Sequence, residues 1–183
     1  MHPQLQRIDH ELLDASHALQ TLRDTIPAEQ WRVRVHSGRW SIAECVAHLN
    51  LTSEAFLPLL NVALESARNL AQAPPPRYRM DVMGWLLWRM LPPPVRIRTR
   101  TTAAFIPQSL AEVSELVSAF DNLQLQLHGI VRDAEGLPLQ QVRVRSPFNE
   151  KTTYNLFSAL SILPRHQLRH LWQAQQIFPD AME

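Results

Sequence analysis

Leu5, Ile8, Leu12, Ala15, Leu19, Leu22 and Ile26 follow one another at alternating spacings of three and four residues. Side chains at that period share one stripe of an α-helix and no single face of a strand, so the first predicted element is a long amphipathic helix. Pro27 stands where the pattern stops, and proline lacks the N–H a helix would need there. The stretch from Pro27 to Arg39 reads as a loop, with an extended piece around Trp31 to Val35.

Ser41 followed by Glu44 matches a capping box, in which the serine side chain accepts from a first-turn N–H and the glutamate reaches back. A second helix therefore starts at a defined point. It carries Ile42, Cys45, Leu49, Thr52 and Phe56 on one face, meets Pro58, and continues with a kink to about Gln72. Residues 73–108 differ in kind. Proline triplets at 74–76 and 92–94 flank a short apolar helix, and the basic segment RIRTRTTAAF follows. That composition predicts a long, partly structured crossover.

From Ser109, with Glu112 three positions on, the residues Leu110, Val113, Val117, Phe120, Leu127 and Val131 resume helical spacing. This third long helix should end at Gly129 or Gly136. GLPLQQVRVRSPFNEK reads as a loop with a short strand, after which Leu156, Leu160, Leu163, His170, Ala174 and Ile177 mark a fourth helix. Pro164 interrupts it and predicts a kink just before the last histidines. The expected fold is all-α: a four-helix bundle with one long crossover between helices two and three. A chain of 183 residues suits one domain spanning residues 1–183, with the crossover at about 73–108.

Lys and Arg total 18 against 17 Asp and Glu, so there is no global field to hold nucleic acid or an anionic lipid surface. The longest apolar run, VMGWLLWRML, is about half the roughly 20 residues a bilayer requires and contains Arg89. Neither nucleic acid nor membrane is an expected partner. The lone Cys45 cannot form an internal disulfide and MHPQLQRIDHELL is polar, which together point to a reducing, cytoplasmic setting. The four glycines, at 38, 84, 129 and 136, are all isolated. Phosphate-cradling loops, dinucleotide fingerprints and nucleophile elbows need them closely spaced, so those enzyme classes are excluded.

The chemistry-bearing residues are histidines. His166 and His170 lie four apart in RHQLRHLWQ, hence on one face of the fourth helix, and can grip one metal ion. His48, at the end of WSIAECVAHL on the second helix, can close half the shell. Three neutral imidazoles leave a coordination position open for water or substrate, as in a catalytic site. The HxxxH pair by itself also arises by chance. HQLRH lacks the glutamate of HExxH, and Gln167 cannot act as a general base, so peptidase chemistry is disfavoured. No catalytic residue is identified.

WSIAECVAHL, the middle segment RTRTTAAFIP and the ending LPRHQLRHLWQ, in that order and at these separations, resemble the three marks of the DinB-like family (DinB/YfiT-type metalloenzymes). The resemblance covers nearly the whole chain. It implies a four-helix bundle, often a homodimer, with His48, His166 and His170 holding a divalent metal such as zinc or nickel. It also implies action on a small-molecule substrate, since some relatives use a low-molecular-weight thiol as co-substrate in transfer or isomerisation reactions; with a thiol or a water at the open metal position, the expected activity is a thiol-dependent transferase or a hydrolase. Pro164 departs from the pattern, because the helix usually runs unbroken there.

Blander readings stand beside these. His17 and His128 are solvated or hydrogen-bonded residues without a role. Trp40 and Trp172 are core or pocket-wall aromatics, and Cys45 is packing rather than a fourth ligand. Glu44 either caps its helix, the simpler explanation, or orients His48 or serves as a base. Arg77, Arg79, Arg89, Arg96, Arg98 and Arg100, with Tyr78, Trp85 and Trp88 among them, form a solvated crossover that packs its tryptophans inward, a dimer contact or an anion pocket. The alternative for the whole chain is a non-catalytic dimeric bundle that binds a hydrophobic small molecule.

Overall fold

The computed structural model describes residues 1–35, 38–71, 73, 75–94 and 101–178. Helix α1 runs over Pro3–Thr25, with Pro3 at its first turn and the His2 side chain accepting from Gln4 N–H. All seven residues of the predicted stripe are buried. No strand forms at Trp31–Val35: a single 3-10 turn over Ala28–Gln30 leads to Trp31, fully buried, whose Nε1 donates to the Ile26 carbonyl at 3.0 Å. Burial of that ring starts the expected extended piece on a turn within the loop.

Helix α2 spans Ile42–Arg68 and runs through Pro58; it stops short of Gln72, which lies outside the described residues. Helix α3, Val82–Met90, is the short apolar helix of the crossover, capped by Asp81, whose carboxylate accepts from Gly84 N–H at 2.9 Å. Gly84 faces Ser158 with no room for a β-carbon, so α3 lies close over the helix that carries Ser158, near the C-terminus, only because this position has no side chain. Pro74, Arg96, Arg98 and Arg100 of the crossover lie outside the described residues.

Helix α4, Val113–Asp133, starts later than Ser109: its cap is Glu112, in a reciprocal pair with Glu115. The helix contains Gly129 and ends before Gly136, whose φ of 75° carries the chain into the following turn. The expected single strand is a hairpin, β1 (Arg143–Ser146) antiparallel to β2 (Asn149–Asn155). The fold is thus mostly helical with a small two-stranded sheet. Asn155 then caps helix α5, Leu156–Gln175, accepting from Ser158 N–H at 2.8 Å. Pro164 lies inside α5, which continues past it instead of breaking.

The four long helices pack chiefly in the cyclic order α1, α5, α2, α4, each on two others. Their apolar faces form two clusters. One joins Leu5 and Leu12 of α1 to Phe56, Leu127 and Leu160; the other joins Leu19 and Leu22 to Ile42, Leu49, Phe120 and Leu171. Between them lies a polar layer. Gln124 Nε2 donates to the Leu12 carbonyl at 2.8 Å, and Gln167 Nε2 donates to Gln124 Oε1 at 2.9 Å. Both glutamines are buried, so each bond replaces water that the interior excludes.

Candidate metal centre

The start of α2 is pinned from both sides. Ser41 Oγ accepts from Glu44 N–H at 3.3 Å, and Glu44 Oε2 accepts from Ser41 N–H at 2.8 Å. Arg34 forks onto the same carboxylate, Nε to Oε2 at 2.8 Å and Nη2 to Oε1. That guanidinium, ahead of the opposing effect of burial, holds the Glu44 carboxyl below the usual carboxylate range. Both oxygens are occupied, which makes Glu44 a cap and not a base poised toward the histidines.

One turn further on, His48 is only 1% exposed. Its Nδ1 stands 2.8 Å from the Phe105 carbonyl, in the 3-10 turn Ala103–Phe105 of the crossover. A carbonyl can only accept, so Nδ1 carries the hydrogen and Nε2 of the neutral ring presents its lone pair. Nε2 faces His166 Nε2 at 3.3 Å. The His170 ring lies 4.5 Å from that of His48 and 4.6 Å from that of His166, centroid to centroid. One ligand nitrogen from each of the three lies within 4.8 Å of the others. Residues from α2 and α5, 118 positions apart, are thereby brought together, and Pro164 does not prevent it.

Burial is the main cause that keeps all three imidazoles neutral. It lowers His48 against the opposing pull of the Phe105 carbonyl, lowers His166 far, and brings His170 to about 3; the neighbouring histidines and Arg169 add to the effect on the latter two. Neutral imidazole is the ligating form. Two nitrogens each about 2.0–2.1 Å from a tetrahedral zinc stand roughly 3.3 Å apart, which matches the spacing of His48 and His166 Nε2. The donor set therefore fits a divalent transition metal.

Aromatic rings wall the cluster. Trp40 lies 4.9 Å from His48 and stacks on His170 at 6.0 Å, while Phe148, in the hairpin turn, lies 5.5 Å from His166 and 4.6 Å from Phe105. Trp40 is a wall residue, as its place beside His48 in the chain suggested. The roles of Phe105 and Phe148 were missed. Phe105 lies within the segment RTRTTAAFIP, but no local pattern marks a backbone carbonyl as a partner, and Phe148 carries no sequence signal.

Cys45 is buried in the apolar cluster and burial pushes its thiol up to about 12, so it packs and does not join the cluster. His128 is paired with Asp9 at 2.5 Å, and His17 is exposed. In the crossover, Tyr78 is buried and Trp88 lies under the Arg165 guanidinium at 3.6 Å, whereas Trp85 is 53% exposed; Arg77, Arg79 and Arg89 face solvent. Among the described residues no helix is long and apolar enough to cross a membrane.

No curated protein and no solved structure matches the chain. The model of the DinB superfamily matches residues 11–174, a span that takes in the cap of α2, the Phe105 turn and all three histidines. With nine-tenths of its length matched in this way, the chain belongs to the DinB superfamily.

Proposed function

We propose that His48, His166 and His170 hold one divalent metal ion, zinc or nickel, and that the protein is a metal-dependent enzyme acting on a small molecule. The observation that carries the proposal is the 3.3 Å approach of two neutral imidazole nitrogens inside a cluster of three. Such an ion supplies Lewis acidity, lowering the pKa of a thiol or water at its open position. A thiol-dependent transferase and a hydrolase both fit that chemistry, the first with a low-molecular-weight thiol as co-substrate.

The residues of the chain do the rest. His48, held by Phe105, sets the direction of one ligand. Trp40, Phe105 and Phe148 exclude water from the sides of the cluster and favour apolar substrate groups. The scaffold of the proposal is a single-domain four-helix bundle of the long helices, resident in the cytoplasm, where the lone buried Cys45 stays reduced.

Metal content of protein purified without a histidine tag tests the proposal. One ion per chain, falling sharply in His170→Ala, is the expected result; equal, substoichiometric metal in both proteins would favour a non-catalytic module that binds a hydrophobic small molecule.

Self-association is the second part of the proposal, and α3 supports it. Gly84, Leu87 and Trp88 face inward, while Val82, Met83, Trp85, Leu86 and Met90 form an exposed apolar arc on the other side. A helix apolar on both faces, with Arg89 the one charge on the outer face, is stable where both are covered, and a second copy of the chain would cover the outer one. Light scattering should give a homodimer for the wild type and a monomer for Leu86→Glu.

A further inference from the structure

We propose that the crossover turn Ala103–Phe105 is a working part of the metal centre: the Phe105 carbonyl positions His48 as a ligand, and metal binding in return fastens the turn onto α2. The inference rests on the metal site proposed above.

Three observations carry it. The His48 Nδ1–Phe105 oxygen contact, at 2.8 Å, spans 57 residues and is buried. It fixes both the tautomer and the ring plane of His48, leaving Nε2 directed at His166. Among the described residues the buried Nδ1 atoms of His166 and His170, by contrast, have no hydrogen-bond partner. His48 is thus the ligand whose far nitrogen is anchored to backbone.

The turn is itself held in place by means other than the histidine. The Phe105 ring is buried and packs on Phe148, and the turn closes through Phe105 N–H to the Thr102 carbonyl at 3.0 Å and Ile106 N–H to the Ala103 carbonyl at 3.2 Å. A cation at Nε2 draws electron density from the imidazole, makes Nδ1–H a stronger donor and tightens its bond to the Phe105 oxygen. Thermodynamic reciprocity then requires that a firmly seated turn raise metal affinity by the same factor.

Phe105→Gly keeps the carbonyl but removes the ring that seats it, whereas Phe105→Leu keeps an apolar anchor. Zinc affinity is read by chelator competition, and the His48 Nδ1–H by its low-field proton resonance in the zinc-loaded protein, with far-UV dichroism confirming that helix content is unchanged. The expected result is an affinity loss of about ten- to a hundredfold in Phe105→Gly, with a weakened or broadened resonance, and near-wild-type values for Phe105→Leu. Undiminished affinity in Phe105→Gly would overturn the inference, as would an equal loss in both variants with the resonance intact.

Hydrogen exchange on the unmutated protein gives an answer even where the glycine variant does not fold. Zinc should slow exchange at the Phe105 and Ile106 amides, and identical rates with and without bound zinc would overturn the coupling. A wild type that takes up no zinc at all would instead remove the metal site on which the inference stands, a failure visible before any Phe105 variant is measured.

Discussion

His48 and His166 face each other nitrogen to nitrogen, Nε2 to Nε2 at 3.3 Å, although 118 residues separate them in the chain. Two neutral imidazoles meeting this way set lone pair against lone pair unless one carries a hydrogen or both share a cation. Ligand-dependent stability checks the shared cation. Zinc at a hundred times its Kd should add about 2.7 kcal/mol to the unfolding free energy of the wild type, raising the thermal midpoint, and a chelator should reverse the shift. His48→Ala should unfold at one temperature with or without zinc.

Glu44 separates capping from catalysis. Glu44→Ala should cost about 0.5–1.5 kcal/mol, because it removes the carboxylate that accepts from Ser41 N–H while the bond from the Glu44 backbone N–H to Ser41 Oγ remains. Its ion pair with the exposed Arg34 should add little. One metal ion per chain should remain. Urea denaturation and metal analysis of the same preparation check both halves; loss of metal would assign Glu44 a role at the centre that its occupied oxygens argue against.

The glutamine layer between the apolar clusters should behave as a matched pair. Gln167→Ala leaves Gln124 Oε1 buried without its donor and should cost about 1–3 kcal/mol. Replacing Gln124 and Gln167 together by leucine should cost less than the sum of the single changes, because no orphaned amide remains between them. A double-mutant cycle on unfolding free energies measures the difference.

Acid should destabilise the metal-free protein. Burial holds the three imidazoles below their ordinary range in the folded state, His170 at about 3. In the unfolded chain each takes a proton near pH 6.5. As pH falls below about 6.5, the unfolded state binds protons that the folded state refuses, so stability present above that pH is progressively lost. Glu44 acts in the same direction at lower pH: its folded carboxyl is depressed by Arg34, and that contribution disappears as pH drops below the ordinary carboxyl value of 4.5. Denaturant midpoints between pH 7 and 4 should decline, with a shallower slope in His170→Leu; a flat wild-type profile would contradict buried, neutral rings.

The amphipathic period of α1, the Ser41–Glu44 cap and the four-residue spacing of His166 and His170 were legible because each is written within a few consecutive residues. Helical geometry turns such spacing into a face without any knowledge of neighbours. The start of α4 was misplaced by several residues because Glu112, an uncommon cap, took the place that Ser109 offered. The extended piece expected around Trp31 to Val35 opens instead on a turn, because the Trp31 ring is buried and its indole nitrogen bonds back to the Ile26 carbonyl.

What the chain alone determined is the inventory: long amphipathic helices, a proline-bounded crossover, and histidines of a type and spacing suited to a metal. Only the tertiary structure decided that His48 meets the pair on α5, that the Phe105 carbonyl sets its tautomer, and that the Phe148 ring closes the wall. Those relationships join residues between 18 and 122 positions apart, and each depends on the packing of whole helices rather than on the preference of any residue.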